Sequence, residues 1–184
     1  MPYNSNIHHR KSIRLKEYDY SQAGLYFITI CVNGRGNPLW LPFGNIENGE
    51  MILNDVGRIV KNEWLKLSQR FPNIELHEYV VMPNHFHAII EIVGATLVVA
   101  QNDMGQPENH MGQPENQIGQ PQGIAPTKPK TVGDMVGAFQ SIVTVEYIRG
   151  VKQFGWAPFN GKLWQRNYWE HIIRDEPSYY RIAE

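Results

Sequence analysis

The sequence predicts an α+β fold, an antiparallel sheet with helices packed on one face. Three observations predict it. Short runs rich in Val, Ile, Tyr, Phe and Thr fall at residues 24–32, 39–46, 51–53, 74–82 and 85–93, each bounded by turn residues. Residues 55–70 and 131–148 instead carry apolar side chains at helical spacing. The order that results begins strand, hairpin, helix, strand, strand, which suits antiparallel neighbours joined by short connections.

Each element has its own warrant. Gly24 to Val32 reads as a central strand, closed by the loop from Asn33 to Pro38. Leu39 to Ile46 and Met51 to Leu53 flank the turn Glu47-Asn48-Gly49-Glu50. Asn54 or Asp55 caps a helix whose Val56, Ile59, Val60, Trp64 and Leu67 share a face, and Phe71-Pro72-Asn73 ends it. Ile74 to Met82 is the next strand. The turn Pro83-Asn84 then returns the chain into His85 to Val93.

Residues 101–130 break this pattern with three copies of a seven-residue Gly-Gln-Pro unit. Gly and Pro in every copy exclude a coiled coil, so the segment reads as a disordered insertion. From Thr131 a helix resumes through Val132, Met135, Val136, Phe139, Ile142 and Val143, with Gly150 as its expected end. Glu176-Pro177-Ser178 opens a last helix. The expected organisation is a basic arm over 1–19 and one domain over 20–184, interrupted at 101–130.

A chain of 184 residues with 42% hydrophobic content can bury a real core. Seventeen Lys and Arg against eighteen Asp and Glu advertise no polyanionic partner, although a local basic surface remains open. One cysteine, Cys31, excludes an intrachain disulfide and sits where burial is expected. No run of about 18 apolar residues spans a membrane. The expectation is a soluble, cytoplasmic protein.

The stretch that carries chemistry is Val80-Val81-Met82-Pro83-Asn84-His85-Phe86-His87. Side chains alternate along a strand, so His85 and His87 share a face with Cα atoms about 6.6 Å apart. Both imidazoles can then reach one metal ion, or both can be structural. Asn84 is first a turn residue and second a candidate to orient His85. A structural metal site needs further ligands, and His77 is the nearby candidate. A histidine-triad nucleotide hydrolase needs another histidine where Ala88 and Ile89 stand.

The stretch Leu163-Trp164-Gln165-Arg166-Asn167-Tyr168-Trp169-Glu170-His171-Ile172-Ile173-Arg174 is dense in groups that stack on bases and hydrogen-bond to bases or phosphates. Arg166 and Asn167, then Gln165 and Trp164, are the candidates for such contacts. The alternative is that these aromatics brace a sheet edge. Arg10, Lys11 and Arg14 cluster in the N-terminal arm and suit a phosphate backbone, or a solvated tail.

Three stretches together, Tyr79 to His87, Val132 to Phe139 onward and Leu163 to Glu176, resemble the IS200-like single-tyrosine transposases, REP-associated branch. The resemblance covers roughly residues 20–184 apart from the Gly-Gln-Pro insertion. It implies a ferredoxin-like fold, and Mg²⁺ or Mn²⁺ held by His85 and His87 to polarise a scissile phosphate. It implies single-stranded DNA hairpins as partners, a monomer or homodimer, and a bacterial, nucleoid-associated location. A tyrosine hydroxyl attacks the phosphorus in that family, forming a 5′-phosphotyrosine intermediate. The alignment puts that tyrosine just after Glu184, so the expectation is a chain lacking its nucleophile. Tyr179, Tyr180, Tyr168 and Tyr147 are the substitutes weighed. The competing expectation is a DNA-hairpin-binding module without catalysis.

Overall fold

The computed structural model describes residues 14–34, 40–94 and 129–184. Ten elements follow in order. They are β1 (Gly24–Cys31), β2 (Gly44–Glu47), β3 (Glu50–Leu53), α1 (Asp55–Leu65), α2 (Leu67–Arg70), β4 (Ile74–Val81), β5 (His85–Ile92), α3 (Val132–Phe154), β6 (Trp169–Ile173) and α4 (Glu176–Ala183). Four strands form one sheet in the order β4-β5-β1-β6, with every neighbouring pair antiparallel. Setting aside the β2–β3 hairpin, this is the ferredoxin-like βαββαβ arrangement. The expected α+β class therefore holds.

One face of the sheet carries the helices. Tyr26, Ile28 and Ile30 of β1 and Phe86, Ala88, Ile90 and Ile92 of β5 alternate onto it and are buried. Val56, Val60 and Trp64 of α1 and Met135, Val136, Phe139 and Val143 of α3 meet them. Trp64 lies at the centre, 4.9 Å from the Phe86 ring and 5.6 Å from Phe139. A fully buried aromatic of this size contributes about 3–5 kcal/mol by the cost of its truncation.

Asn54 caps α1 by accepting from Gly57 N–H, as the sequence suggests. Thr131 and Asp134 form a reciprocal capping box at α3. The end of α3 differs from expectation, because the helix runs past Gly150 to Phe154 and stops at Gly155, whose φ of 70° is left-handed. Gly150 serves packing instead. A Cβ there lies 2.1 Å from Cε3 of Trp156, so only glycine lets that indole cross the helix. Trp40–Phe43, expected as strand, lies outside β2 and contains a turn. The Gly-Gln-Pro repeats and Arg10 and Lys11 lie outside the described residues.

Candidate functional site

The opposite face of the sheet, called here the open face, is built by strand parity. It receives His85, His87, Ile89 and Glu91 from β5 and Leu25, Phe27, Thr29 and Cys31 from β1. From β6 it receives Trp169, His171 and Ile173. Register fixes the rows across it. Cys31 lies opposite His85, Thr29 opposite His87, and Leu25 opposite Glu91. On the far side of β1, Thr29 faces Trp169 and Leu25 faces Ile173.

His85 and His87 meet with ring centroids 4.7 Å apart. Each ring is held through Nδ1. His85 Nδ1 lies 2.8 Å from Asn84 Oδ1, which only accepts, so Nδ1 carries the hydrogen and Nε2 keeps its lone pair. His87 Nδ1 lies 2.8 Å from the Thr29 hydroxyl, which can accept in the same way. Phe27 stacks beneath the His87 ring at 5.4 Å. Burial pushes both imidazoles below the ordinary histidine range, and for His87 the neighbouring His85 adds to it. These are the requirements for ligation: neutral rings, rings anchored through Nδ1 and two nitrogens on one face. The residues fit a divalent ion that accepts imidazole nitrogen.

The other predicted residues divide. Gln165 N–H bonds to Cys31 O at 2.9 Å, and Cys31 is the strand partner of His85. The exposed segment Gln165, Arg166 and Asn167 therefore borders the histidine end of the sheet. Trp164 does not join it, which corrects the expectation of base stacking. It is 7% exposed, packs on Phe43 and Phe139, and donates its indole N–H to Gln140 O. Arg14 also departs from expectation. It is ion-paired to Glu170 and lies over the Tyr168 ring, 3.8 Å from its centroid. Glu170 alternates with Trp169 on β6, so this pair belongs to the helix side of the sheet, away from the histidines.

His77 does not complete the histidine pair either. Its Nε2 contacts Glu91 Oε2 at 3.0 Å, four residues along β5 from His87 and so about 13 Å away. Glu75, His77 and Glu91 bring ligand atoms within 4.8 Å of one another. Of the tyrosines weighed as nucleophiles, Tyr180 is 57% exposed, Tyr168 is buried, and Tyr179 and Tyr147 are hydrogen-bonded. Tyr179 donates to Glu78 at 2.5 Å, a bond that raises its hydroxyl to about 12. Tyr147 donates to Ala157 O, and burial raises Tyr168.

Two participants were not singled out by the sequence. Trp169, 63% exposed, stands in the row of Thr29 and His87 and offers an indole to the open face. Thr29 supplies the bond to His87. Strand alternation over Trp169-Glu170-His171 carried the signal for the first; the second required the β1–β5 register.

The chain is 40% identical over 187 residues to a protein of Haemophilus influenzae strain Rd described as uncharacterized, spanning 99% of this chain and 88% of that protein. It belongs to that protein's family. No family model matches the chain. Among solved structures, a REP-associated tyrosine transposase bound to a REP hairpin is 16% identical with a TM-score of 0.50. The match covers 91% of this chain and 67% of that one, and it shows a shared fold. Among the described residues, no helix is long and apolar enough to cross a membrane.

Proposed function

We propose that this protein is a transposase-type DNA-processing protein that binds hairpin-forming single strands and holds a divalent metal on His85 and His87. The observation that carries the proposal is the histidine pair itself, neutral and oriented through Asn84 and Thr29 at the rim of an open sheet face. Two imidazoles favour Mn²⁺ over Mg²⁺, which prefers an all-oxygen shell. When bound, the metal supplies Lewis acidity toward a phosphate oxygen.

The chain's own residues do the rest. Asn84 fixes the His85 tautomer, Thr29 steadies the His87 ring, and Phe27 holds that ring in place. Arg166, Asn167 and Gln165 border the same end and provide phosphate and base contacts. Trp169 provides a stacking surface worth about 1–3 kcal/mol per base. The hydrogen bonds that hold Tyr147 and Tyr179, and the burial of Tyr168, favour a second reading. In it, these residues bind metal and DNA, and strand cleavage needs a tyrosine from elsewhere.

The experiment is a binding comparison at fixed salt among a DNA hairpin with a single-stranded flank, a blunt duplex and an unstructured strand. Preference for the flanked hairpin is expected, with Trp169→Ala and Arg166→Ala each weakening it. Equal binding to all three, together with unchanged Mn²⁺ affinity in a His85→Ala/His87→Ala variant, sinks the proposal. A covalent adduct between the 184-residue chain and DNA refutes the second reading and selects the first.

A further inference from the structure

A second group of ligand-type side chains lies at the other end of the open face, and the histidine pair takes no part in it. Strand β4 is irregular there. Leu76 pairs with Ile90 and Tyr79 with Ala88, so three steps on β4 oppose two on β5. The extra residue breaks alternation and presents His77 and Glu78 in succession to the same neighbourhood, a bulge re-aiming side chains. Tyr179 of α4 then contacts both, with His77 Nδ1 at 3.1 Å and Glu78 Oε2 at 2.5 Å.

Proton bookkeeping constrains this network. A tyrosine has one hydroxyl hydrogen, and here it goes to Glu78. His77 Nδ1 must therefore donate to Tyr179, which leaves Nε2 to face Glu91 Oε2 at 3.0 Å. A nitrogen lone pair and a carboxylate oxygen at that distance need a cation to join them, either a proton or a metal ion. Glu75 is the strand partner of Glu91, so two carboxylates stand directly opposite each other. Like charges so placed destabilise a sheet unless a cation lies between them.

The geometry suits a metal. Adjacent ligands of an ion bound at about 2.1 Å lie about 3.0 Å apart in an octahedral shell. The His77–Glu91 contact already has that length, and Glu75 has a ligand atom within 4.8 Å of both. One imidazole with two carboxylates selects a zinc- or manganese-class ion over calcium or magnesium. The group borders an open cleft of about 470 Å³ whose lining includes His77, Glu91, Ile173, Tyr179 and Tyr180.

We propose that Glu75, His77 and Glu91 form a second divalent-metal site, whose ion fixes α4 against the sheet through His77 and Tyr179. Helix α4 contains no fully buried residue, so its seat depends on such polar ties. A metal on Nε2 holds the His77 tautomer that donates to Tyr179, the arrangement by which outer hydrogen bonds and metal ligation reinforce each other.

The test uses the untagged full chain and Zn²⁺, followed by calorimetry and by amide hydrogen exchange over residues 176–183. A Glu75→Gln/Glu91→Gln variant keeps side-chain size and is expected to bind one equivalent less than the parent. The His85→Ala/His87→Ala variant retains that equivalent. Zinc is expected to slow exchange in α4 at least tenfold in both the parent and the His85→Ala/His87→Ala protein, and not in Glu75→Gln/Glu91→Gln. Tyr179→Phe keeps the zinc stoichiometry and loses the effect on α4, which separates the coupling from the site. An unchanged zinc count in Glu75→Gln/Glu91→Gln overturns the site. Loss of all zinc from His85→Ala/His87→Ala overturns it as well. Zinc binding with unaltered exchange in α4 overturns the coupling.

Discussion

Replacing Thr29 by valine probes the histidine centre with the smallest available change. Valine keeps the β-branched shape and suits the strand, so β1 and its pairing with β5 are expected to persist. What disappears is the hydroxyl 2.8 Å from His87 Nδ1. Without that partner the ring loses the hydrogen bond that steadies it with Nε2 toward the open face. A net hydrogen bond of about 0.5–1.5 kcal/mol, at about 1.36 kcal/mol per decade, corresponds to a 2- to 13-fold loss of affinity. Outer-shell partners of metal-bound histidines typically cost about 10- to 100-fold when removed. The two ranges overlap near tenfold, which is the expected weakening of Mn²⁺ binding. The assay is an electron paramagnetic resonance titration of free Mn²⁺ on parent, Thr29→Val and His87→Ala, with thermal melts as the folding control. Thr29→Val binding Mn²⁺ within twofold of the parent, while His87→Ala binds none, would show that the hydroxyl does not orient the ligand ring.

Two more expectations rest on other features. Burial lowers both imidazoles below the ordinary value of 6.5, and only the neutral ring ligates. Mn²⁺ affinity is therefore expected to hold as pH falls to 6.5 and to decline only below it; half-loss above 6.5, in a pH series of the same titration, contradicts the burial argument. Two glycines of α3 are expected to respond in opposite directions in urea melts. Gly150→Ala drives a methyl into the Trp156 ring and destabilises by about 1–3 kcal/mol, whereas Gly137→Ala adds a methyl in open space and stabilises by about 0.5–1 kcal/mol.

Local patterns carried most of the fold. The strands around His85 and Phe27, the cap at Asn54 and the box at Thr131 each express rules that span a few residues. The misplaced end of α3 shows where such rules stop. Gly150 looks like a helix terminator, and only the indole of Trp156 crossing the helix shows that it is a packing glycine. The site divides in the same way. His85 and His87 announce themselves by spacing, while Thr29 becomes relevant through a partner strand far along the chain. Trp164 and Trp169 occupy one aromatic-rich stretch and have opposite fates, because one is docked on Phe43 and Phe139 and the other lies on an exposed strand face. The Glu75–His77–Glu91 group required both a bulge and a cross-strand register, neither of which leaves a mark in composition.

The sheet order β4-β5-β1-β6 also sets a schedule for biosynthesis. Strand β1 is made first, yet both its partners come much later, with Thr29 finally pairing with Trp169. At about 5–20 residues per second, the ribosome delivers Trp169 on the order of ten seconds after Thr29. For that interval β1, with its run Tyr26 to Ile30, offers an apolar strand edge with unfilled hydrogen bonds. The nascent chain is thus most vulnerable to aggregation, and most in need of a holding chaperone, while the strand that later underlies His87 waits for its second neighbour.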